Sequence, residues 1–161
     1  MVSAYHRNVE GGILAFGRKY KRFAEINGSN VPIHINHPTK RMLPILYHPD
    51  AHFVTKFGKR YIFEILDSEL KNENLIIADI LLACLSPNTS KVIFIVPKDE
   101  DQIKVYDLIF PIMDNLVNNG VPKRKLPRVV ATLYILRSEA KTSESVTEIL
   151  VNSAKDRGVT I

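Results

Sequence analysis

A carboxylate inside an apolar strand pattern is the feature that most restricts how this chain can fold. Residues 60–66, RYIFEIL, read as a strand, and Glu64 stands within them. Burying a carboxylate costs several kcal/mol unless a hydrogen bond or an opposite charge compensates it. The preceding segment, LPILYHPD, ends at a second acid, Asp50. A divalent cation shared by Asp50 and Glu64 would compensate both charges.

A turn at Lys56–Lys59 predicts that these two segments form an antiparallel hairpin. Side chains alternate between the two faces of a strand, so the length of the loop decides whether Asp50 and Glu64 share a face. A three-residue loop at 57–59 places Asp50 opposite Leu66, which makes the two acids diagonal neighbours on one face. A loop of two or four residues without a bulge would place them on opposite faces.

Pro49-Asp50, followed at hairpin distance by Glu64-Ile65, resembles the motif of the PD-(D/E)xK nuclease superfamily. Members of that superfamily hold Mg²⁺ or Mn²⁺ with the Asp of the Pro-Asp pair, the acid of the second motif and the backbone carbonyl that follows this acid. The resemblance implies a metal site formed by Asp50, Glu64 and the carbonyl of Ile65, with the two acids as catalytic residues. It covers residues 8–97 and implies a restriction-endonuclease-like fold.

The chain departs from that motif at the lysine of the superfamily, whose position is occupied by Leu66. Some relatives, including the cap-snatching viral endonucleases, take this lysine from the helix that follows the strand. Lys71 is the nearest candidate, and the resemblance gives it a catalytic role in positioning water or stabilising charge. Many members also carry a metal-binding glutamate on their first helix, which Glu10 would match. An acid in a first turn also stabilises the helix dipole, so Glu10 has a purely structural alternative.

The composition favours a polyanionic partner and excludes several classes of protein. The formal net charge of the 161 residues is +5, although a basic surface without any partner is the alternative. Cys84 stands alone, so neither a disulfide framework nor a cysteine zinc cluster is expected. The longest apolar run, residues 75–85, contains Asp79 and is too short to span a membrane. We predict a single domain over residues 1–161 of a soluble, cytoplasmic protein with no membrane partner.

Two clusters of basic residues are candidates for contact with a phosphate backbone. One lies on the outside of the predicted first helix, and the other forms the loop VPKRKLPR at 121–128. The predicted nucleic-acid-binding residues are Arg18, Lys19, Arg22, His48, Lys123, Arg124 and Lys125. Exposed linkers are often equally basic without binding anything, so a solvated surface is the alternative. Of the four histidines between residues 34 and 52, none are spaced i, i+4 on a convincing helix, and no thiolates of a zinc site accompany them.

The hydrophobic patterns predict an α/β fold with a mixed sheet flanked by helices. Helices are predicted at 9–26, 74–85 and 99–119, and a closing helix carries Ser145 and Glu148 as a capping box. Strands are predicted at 31–35, 60–66, 91–97 and 129–136, and the apolar run of the third is typical of a buried parallel strand. This order is similar to the αβββαβ core of the nuclease superfamily, followed by a C-terminal helix-strand-helix extension.

The resemblance implies a metal-dependent endonuclease that hydrolyses phosphodiester bonds in nucleic acid, with DNA as the expected substrate. A chain of this size, without a separate domain for reading bases, is expected to recognise backbone shape, an end or a junction. Leu66 leaves open a nucleic-acid-binding protein on the same fold that has lost catalysis. An assembly or regulatory domain is the third hypothesis. A homodimer, as many relatives form, would double the footprint, but no sequence feature fixes the oligomer.

Overall fold

The computed structural model describes residues 2–36 and 44–161, and within these ranges it contains four α-helices and seven β-strands. The helices are α1 (Ala4–Arg18), α2 (Glu73–Leu85), α3 (Asp101–Asn118) and α4 (Ser143–Asn152). The strands are β1 (Phe23–Gly28), β2 (Ile33–Ile35), β3 (Ile45–Tyr47), β4 (Ala51–Thr55), β5 (Arg60–Ile65), β6 (Thr89–Val96) and β7 (Val129–Tyr134). No helix of these described ranges is long and apolar enough to cross a membrane.

Five of the strands form one mixed sheet, in the order β1-β4-β5-β6-β7. β1, β4 and β5 are antiparallel neighbours, whereas β5, β6 and β7 run parallel. The parallel half requires crossover connections, which α2 supplies between β5 and β6 and α3 supplies between β6 and β7. β2 and β3 form a separate antiparallel pair. The predicted α/β class, with a mixed sheet flanked by helices, is confirmed.

Helices cover both faces of the sheet, and a hydrophobic core fills the space on each side. On one side, α1 and α4 pack over buried residues that include Ile13 and Phe53. On the other side, α2 and α3 pack over a core that includes Ile62 and Leu66. Because side chains alternate along β5, Glu64 lies on the same side of the sheet as Ile62 and Leu66, toward α2.

The predicted helix over 9–26 is wrong at both ends, because α1 spans Ala4–Arg18 and β1 begins at Phe23. Tyr20 and Phe23 continue the apolar spacing of the helix, but they lie beyond its end. They belong to an aromatic cluster, in which the ring of Phe23 lies 4.9 Å from that of Phe53 and 6.5 Å from that of Tyr20. A contact between β1 and β4, rather than a helical period, therefore explains these apolar residues.

The other predicted helices and strands agree with the structure to within two residues at each end, apart from the start of α4. The segment LPILYHPD, predicted to be the first strand of the hairpin, contains β3 instead, and the hairpin strand β4 begins after Asp50. The capping box of α4 joins Thr142 and Ser145, not the predicted Ser145 and Glu148. Thr142 Oγ1 accepts a hydrogen bond from Ser145 N–H at 3.1 Å, and Ser145 Oγ accepts one from Thr142 N–H at 3.4 Å. Thr142 has the extended backbone of an N-cap residue, whereas Ser145 already lies inside the helix.

Candidate functional site

The β4-β5 hairpin sets the relation between the two predicted metal ligands. The strands pair so that Asp50, the residue before β4, stands level with Glu64. The predicted pairing of Asp50 with Leu66 is therefore wrong by two residues. The loop has the expected three residues, but it begins one residue earlier, at Lys56, and Gly58 with φ +81° closes it. Because the shift is even, the conclusion that both acids lie on one face is unaffected.

Each acid accepts a backbone hydrogen bond from the strand segment of the other. Asp50 N–H donates to Glu64 Oε1 at 3.1 Å, and Ile65 N–H donates to Asp50 Oδ2 at 2.7 Å. The Tyr47 hydroxyl donates to the same Glu64 Oε1 at 3.0 Å. The other carboxylate oxygen of Asp50, Oδ1, lies 3.0 Å from His6 Nε2. Asp50 and Glu64 thus form a fixed pair, with one partner from α1 and one from β3.

The pair has a third acid beside it, Asp79 of α2. Burial raises the pKa of Glu64 well above its usual range, and the charges of Asp79 and Asp50 raise it further. Burial and the charge of Asp50 also raise the pKa of Asp79 to about 6, although a hydrogen bond with Glu64 acts in the opposite direction. We call Asp50, Glu64 and Asp79 the acidic cluster. Its members repel one another in a site where only 5% of the Glu64 surface is exposed.

Among the described residues, His6 is the only basic side chain that forms an ion pair with a member of the acidic cluster. Its hydrogen bond to Asp50 raises the pKa of His6, against the opposite effect of burial. No three histidine, cysteine, aspartate or glutamate side chains within 2–36 and 44–161 converge on a point that could hold a metal ion. A cation here would therefore be bound by one or two carboxylates, with water as its other ligands.

The structure brings His6, Tyr47 and Asp79 to this site, and the sequence analysis assigned none of them to it. His6 lies 44 positions before Asp50, so only the fold brings the two together. One signal was available, because His6 stands one helical turn before Glu10, which the resemblance had already selected. Asp79 interrupts the most apolar helix of the chain, where an acid requires a partner.

Two other predicted residues of the metal and catalytic set lie apart from the acid pair. Glu10 Oε1 accepts a hydrogen bond from Ser29 N–H at 3.3 Å, although its charge still raises the pKa of His6. Lys71 ends the 3₁₀ turn Ser68–Lys71 with an exposed side chain, and within the described ranges it forms no ion pair with Asp50 or Glu64. The structure does not bring Lys71 into contact with either acid.

Ile65 and Leu66, the two residues after Glu64, form hydrogen bonds through their backbone N–H groups. Ile65 contacts Asp50 through its N–H, whereas the resemblance assigned the Ile65 carbonyl to the metal. Leu66 at the lysine position of the motif is fully buried in the core beneath α2 and α3, and its N–H donates to the Ile95 carbonyl at 2.8 Å.

The predicted nucleic-acid-binding residues do not form one surface. Arg18 and Lys19 are exposed at the end of α1, and Lys19 borders a cavity next to α4. His48 is exposed, and its Nδ1 lies 3.3 Å from the Ser29 carbonyl oxygen. Arg22 and Arg124 line a groove at the opposite end of the sheet from the acidic cluster, and Lys125 lines an adjoining cavity. Lys123 is exposed in the same turn as Arg124 and Lys125.

The histidines also separate in the structure. His52 is buried, its Nε2 lies 3.2 Å from the Val31 carbonyl oxygen, and burial lowers its pKa. His34 is exposed on β2, and His37 lies outside the described residues.

Comparisons with models of protein families, with curated proteins and with solved structures found no match to this chain. A functional assignment therefore rests on the geometry and charges of the sites themselves.

Proposed function

We propose that this chain is a metal-dependent endonuclease that hydrolyses phosphodiester bonds in nucleic acid, with Asp50 and Glu64 as ligands of Mg²⁺ or Mn²⁺. The observation that carries the proposal is the acidic cluster. Three carboxylates lie together, the pKa values of Glu64 and Asp79 are raised, and within the described residues His6 is the only ion-pair partner of these acids. A bound divalent cation would remove this repulsion.

The donor set suits a hard cation. Mg²⁺ is typically held by one or two carboxylates and keeps several water ligands, which leaves room for oxygens of a substrate phosphate. Asp50 and Glu64 supply two carboxylates from neighbouring strand positions, so they suffice without a third protein ligand. Asp79 is closer to the pair than Glu10, because its charge helps raise the pKa of Glu64 while Glu10 is bound to Ser29 N–H.

His6 and Tyr47 have positioning roles in this proposal. His6 holds Asp50 Oδ1, and the Tyr47 hydroxyl holds Glu64 Oε1, so each carboxylate keeps one orientation. Such second partners of metal ligands fix the direction of the lone pairs that face the ion. When bound, the cation would neutralise charge on the phosphate and lower the pKa of an attacking water molecule. Lys71 remains the proposed lysine, and it would have to turn inward to take part.

The order of elements supports the restriction-endonuclease-like part of the proposal. α1, β1, β4, β5, α2 and β6 follow one another as αβββαβ, with the small β2-β3 pair as an insertion. α3, β7 and α4 then form the helix-strand-helix extension. DNA is the proposed substrate and a homodimer the proposed assembly. A cytoplasmic location is also part of the proposal, and Cys84, the one cysteine of the sequence, carries a buried free thiol.

The test is a cleavage assay on duplex, single-stranded and branched DNA and on RNA, with Mg²⁺ or Mn²⁺. Asp50→Asn and Glu64→Gln keep the shapes of the side chains but remove the charges. Each variant should lose at least about 100-fold of the activity, more than the loss typical of altering an outer partner. Glu73→Gln, an exposed acid in the first turn of α2, is the matched control and should keep full activity.

Calorimetric titration with Mn²⁺ separates a metal site from a structural acid pair. The wild-type protein should bind Mn²⁺, and Glu64→Gln should bind it much more weakly while remaining folded. His6→Ala should lower metal affinity or activity about 10- to 100-fold, as expected for a residue that orients a ligand. Absence of cleavage of every substrate, together with absence of Mn²⁺ binding, would refute the proposed function.

A nucleic-acid-binding protein without catalysis is the second candidate, and two observations favour it. Leu66 replaces the motif lysine with a core residue, and the side chain of Lys71 is exposed. This candidate predicts Mn²⁺-independent association with nucleic acid and no turnover in the same assay.

A further inference from the structure

A basic groove lies at the end of the sheet opposite the acidic cluster. Its cavity has a volume of about 1050 Å³ and is bordered by the end of β4, the starts of β5, β6 and β7, and the β4-β5 loop. Of its cationic residues, Lys21 and Arg22 precede β1, and Lys91 lies within β6. Four more come from the loops: Lys56, Lys59, Arg124 and Arg128. No Asp or Glu of the described residues lines this cavity.

Part of the groove wall is held in place by the C-terminal segment. Arg22 donates to the Ile161 carbonyl oxygen at 3.0 Å, and Lys91 donates to the Thr160 carbonyl oxygen at 3.0 Å. Burial and the charge of Arg22 lower the pKa of Lys91. Cations that repel one another in this way, with no Asp or Glu side chain of the described residues among them, attract an anion.

The groove continues into a second basic cavity of about 340 Å³. The two cavities share Lys59, Thr89 and Arg124, and the second adds Lys125. Together the two adjoining cavities are lined by eight cationic residues. A single phosphate would contact only some of these residues, whereas a chain of phosphates would contact more of them. This continuity favours an extended polyanion over a small anion.

Aromatic surface lies among these cations. The Phe57 side chain at the tip of the hairpin loop is 94% exposed and lines the groove. Tyr61 also lines it, and Lys91 Nζ lies 5.3 Å from the centre of the Tyr61 ring. Cations that follow a backbone and aromatic rings on which bases stack are the two components of single-strand binding surfaces. A membrane surface is a poorer fit, because the cations line a concave cavity rather than a flat face.

We propose that this groove binds single-stranded nucleic acid through its phosphate backbone, at a site separate from Asp50 and Glu64. Lys59 and Glu64 are five residues apart along β5, or roughly 16 Å at 3.3 Å per residue. A nucleotide in the groove therefore does not contact the acidic cluster. The inference holds whether or not the acidic cluster is catalytic, because the two sites share no residue.

The test is fluorescence anisotropy with a labelled single strand of twelve thymidines, in chelator and 50 mM NaCl. The double variant Lys59→Ala/Arg124→Ala removes two cations shared by both cavities. The matched control, Lys98→Ala/Lys141→Ala, removes two exposed lysines that line neither cavity. The groove variant should bind about tenfold or more weakly, and its salt slope should fall by about 0.7 for each lost phosphate contact. Phe57→Ala should weaken binding further, whereas the control should match wild type.

Several outcomes would overturn the inference. Equal affinity of the groove variant and the wild-type protein would exclude the groove, provided that melting curves show both folded. Tighter binding to the corresponding duplex, or to vesicles containing anionic lipid, would identify another ligand. Complete displacement by millimolar inorganic phosphate would reduce the site to one for small anions. Asp50→Asn should retain wild-type affinity, so loss of cleavage and loss of binding are separable results.

Discussion

At one end of the central sheet three carboxylates surround a buried site with a histidine as their counter-charge, whereas at the other end seven cationic side chains line an open groove. Like charges repel at both ends, but the surroundings differ. Glu64 is buried, so its repulsion from Asp79 and Asp50 changes protonation and couples to stability. The groove is open to water and ions, which screen its charges at little cost to stability.

Two other acids of this chain, Glu139 and Asp67, are each paired with an arginine. Arg157 forms two hydrogen bonds with Glu139, at 2.6 and 2.5 Å, and lowers the pKa of that acid. Arg137 pairs with Asp67 and likewise lowers its pKa, against the effect of burial. Glu64 is more buried than either acid, yet no Lys or Arg of the described residues forms an ion pair with it. We therefore expect the stability of the acidic cluster to depend on pH, and we propose that divalent cations act at this cluster whereas salt acts at the groove.

The largest effect on stability is expected at Glu64. Glu64→Ala leaves the Tyr47 hydroxyl and the Asp50 N–H without their acceptor and opens a cavity, so it should lower the free energy of unfolding by about 3 kcal/mol. Glu64→Gln keeps a side-chain oxygen as acceptor and should stay within about 1 kcal/mol of wild type. Urea denaturation in chelator measures both. Equal stability of the two variants would show that the hydrogen bonds to Glu64 contribute little.

The next effect is a dependence of stability on pH, with the opposite sign to that of a paired acid. The pKa of Asp79 rises from 3.8 to about 6 on folding, so its contribution is complete below pH 3.8 and is lost as pH rises through 6. The loss should be on the order of 2 to 3 kcal/mol between pH 4 and pH 7. Asp79→Asn should remove the part of the pH dependence of stability that comes from Asp79. The part that comes from Glu64 and His6, whose pKa values are also raised, should remain.

The measurement is denaturation of both proteins in chelator across that range, repeated with Mg²⁺. Added Mg²⁺ should restore stability at pH 7 in the wild-type protein, because a cation compensates ionised carboxylates. A pH slope that is the same in Asp79→Asn and wild type would contradict the role given to Asp79.

The sequence predicted the parallel half of the fold well because its signals are local. Residues 92–97 form an unbroken apolar run, and the helices on either side of it are rich in apolar residues and have clear ends. The antiparallel half was predicted less well. Phe23 belongs to β1 because it packs against Phe53, and no helical or strand period reveals a contact between residues 30 positions apart.

The candidate sites also differ in how well the sequence predicts them, because some of their contacts are local in sequence and others join distant residues. The shared face of Asp50 and Glu64 depends only on whether the hairpin loop is odd in length, which the local sequence indicates. The contact of His6 with Asp50 depends on how α1 packs across the sheet, which the local sequence does not indicate. The sequence analysis predicted no groove: it named Arg22 and Arg124 as contacts in two separate clusters, and Lys59 and Lys91 reach the groove only through the pairing of β5 with β6.

The smallest effect on stability is expected at the basic groove. Removing charges there should leave the stability unchanged or raise it, whereas Glu64→Ala at the acidic cluster should lower it. Lys59→Ala/Arg124→Ala removes two mutually repelling exposed cations, so it should leave stability within ~0.5 kcal/mol of wild type or raise it. Sodium chloride between 0.05 and 0.5 M screens the same repulsion. Wild type should gain a few tenths of a kcal/mol over that range, and the variant should gain less.

Denaturation at each salt concentration, with Lys98→Ala/Lys141→Ala as the control of equal charge, measures this difference. A groove variant that loses more than 1 kcal/mol would show that these cations hold the fold together. In that case the basic end would resemble the Arg157–Glu139 pair, in which charge serves the fold, and the contrast between a buried acidic site and an open binding surface would fail.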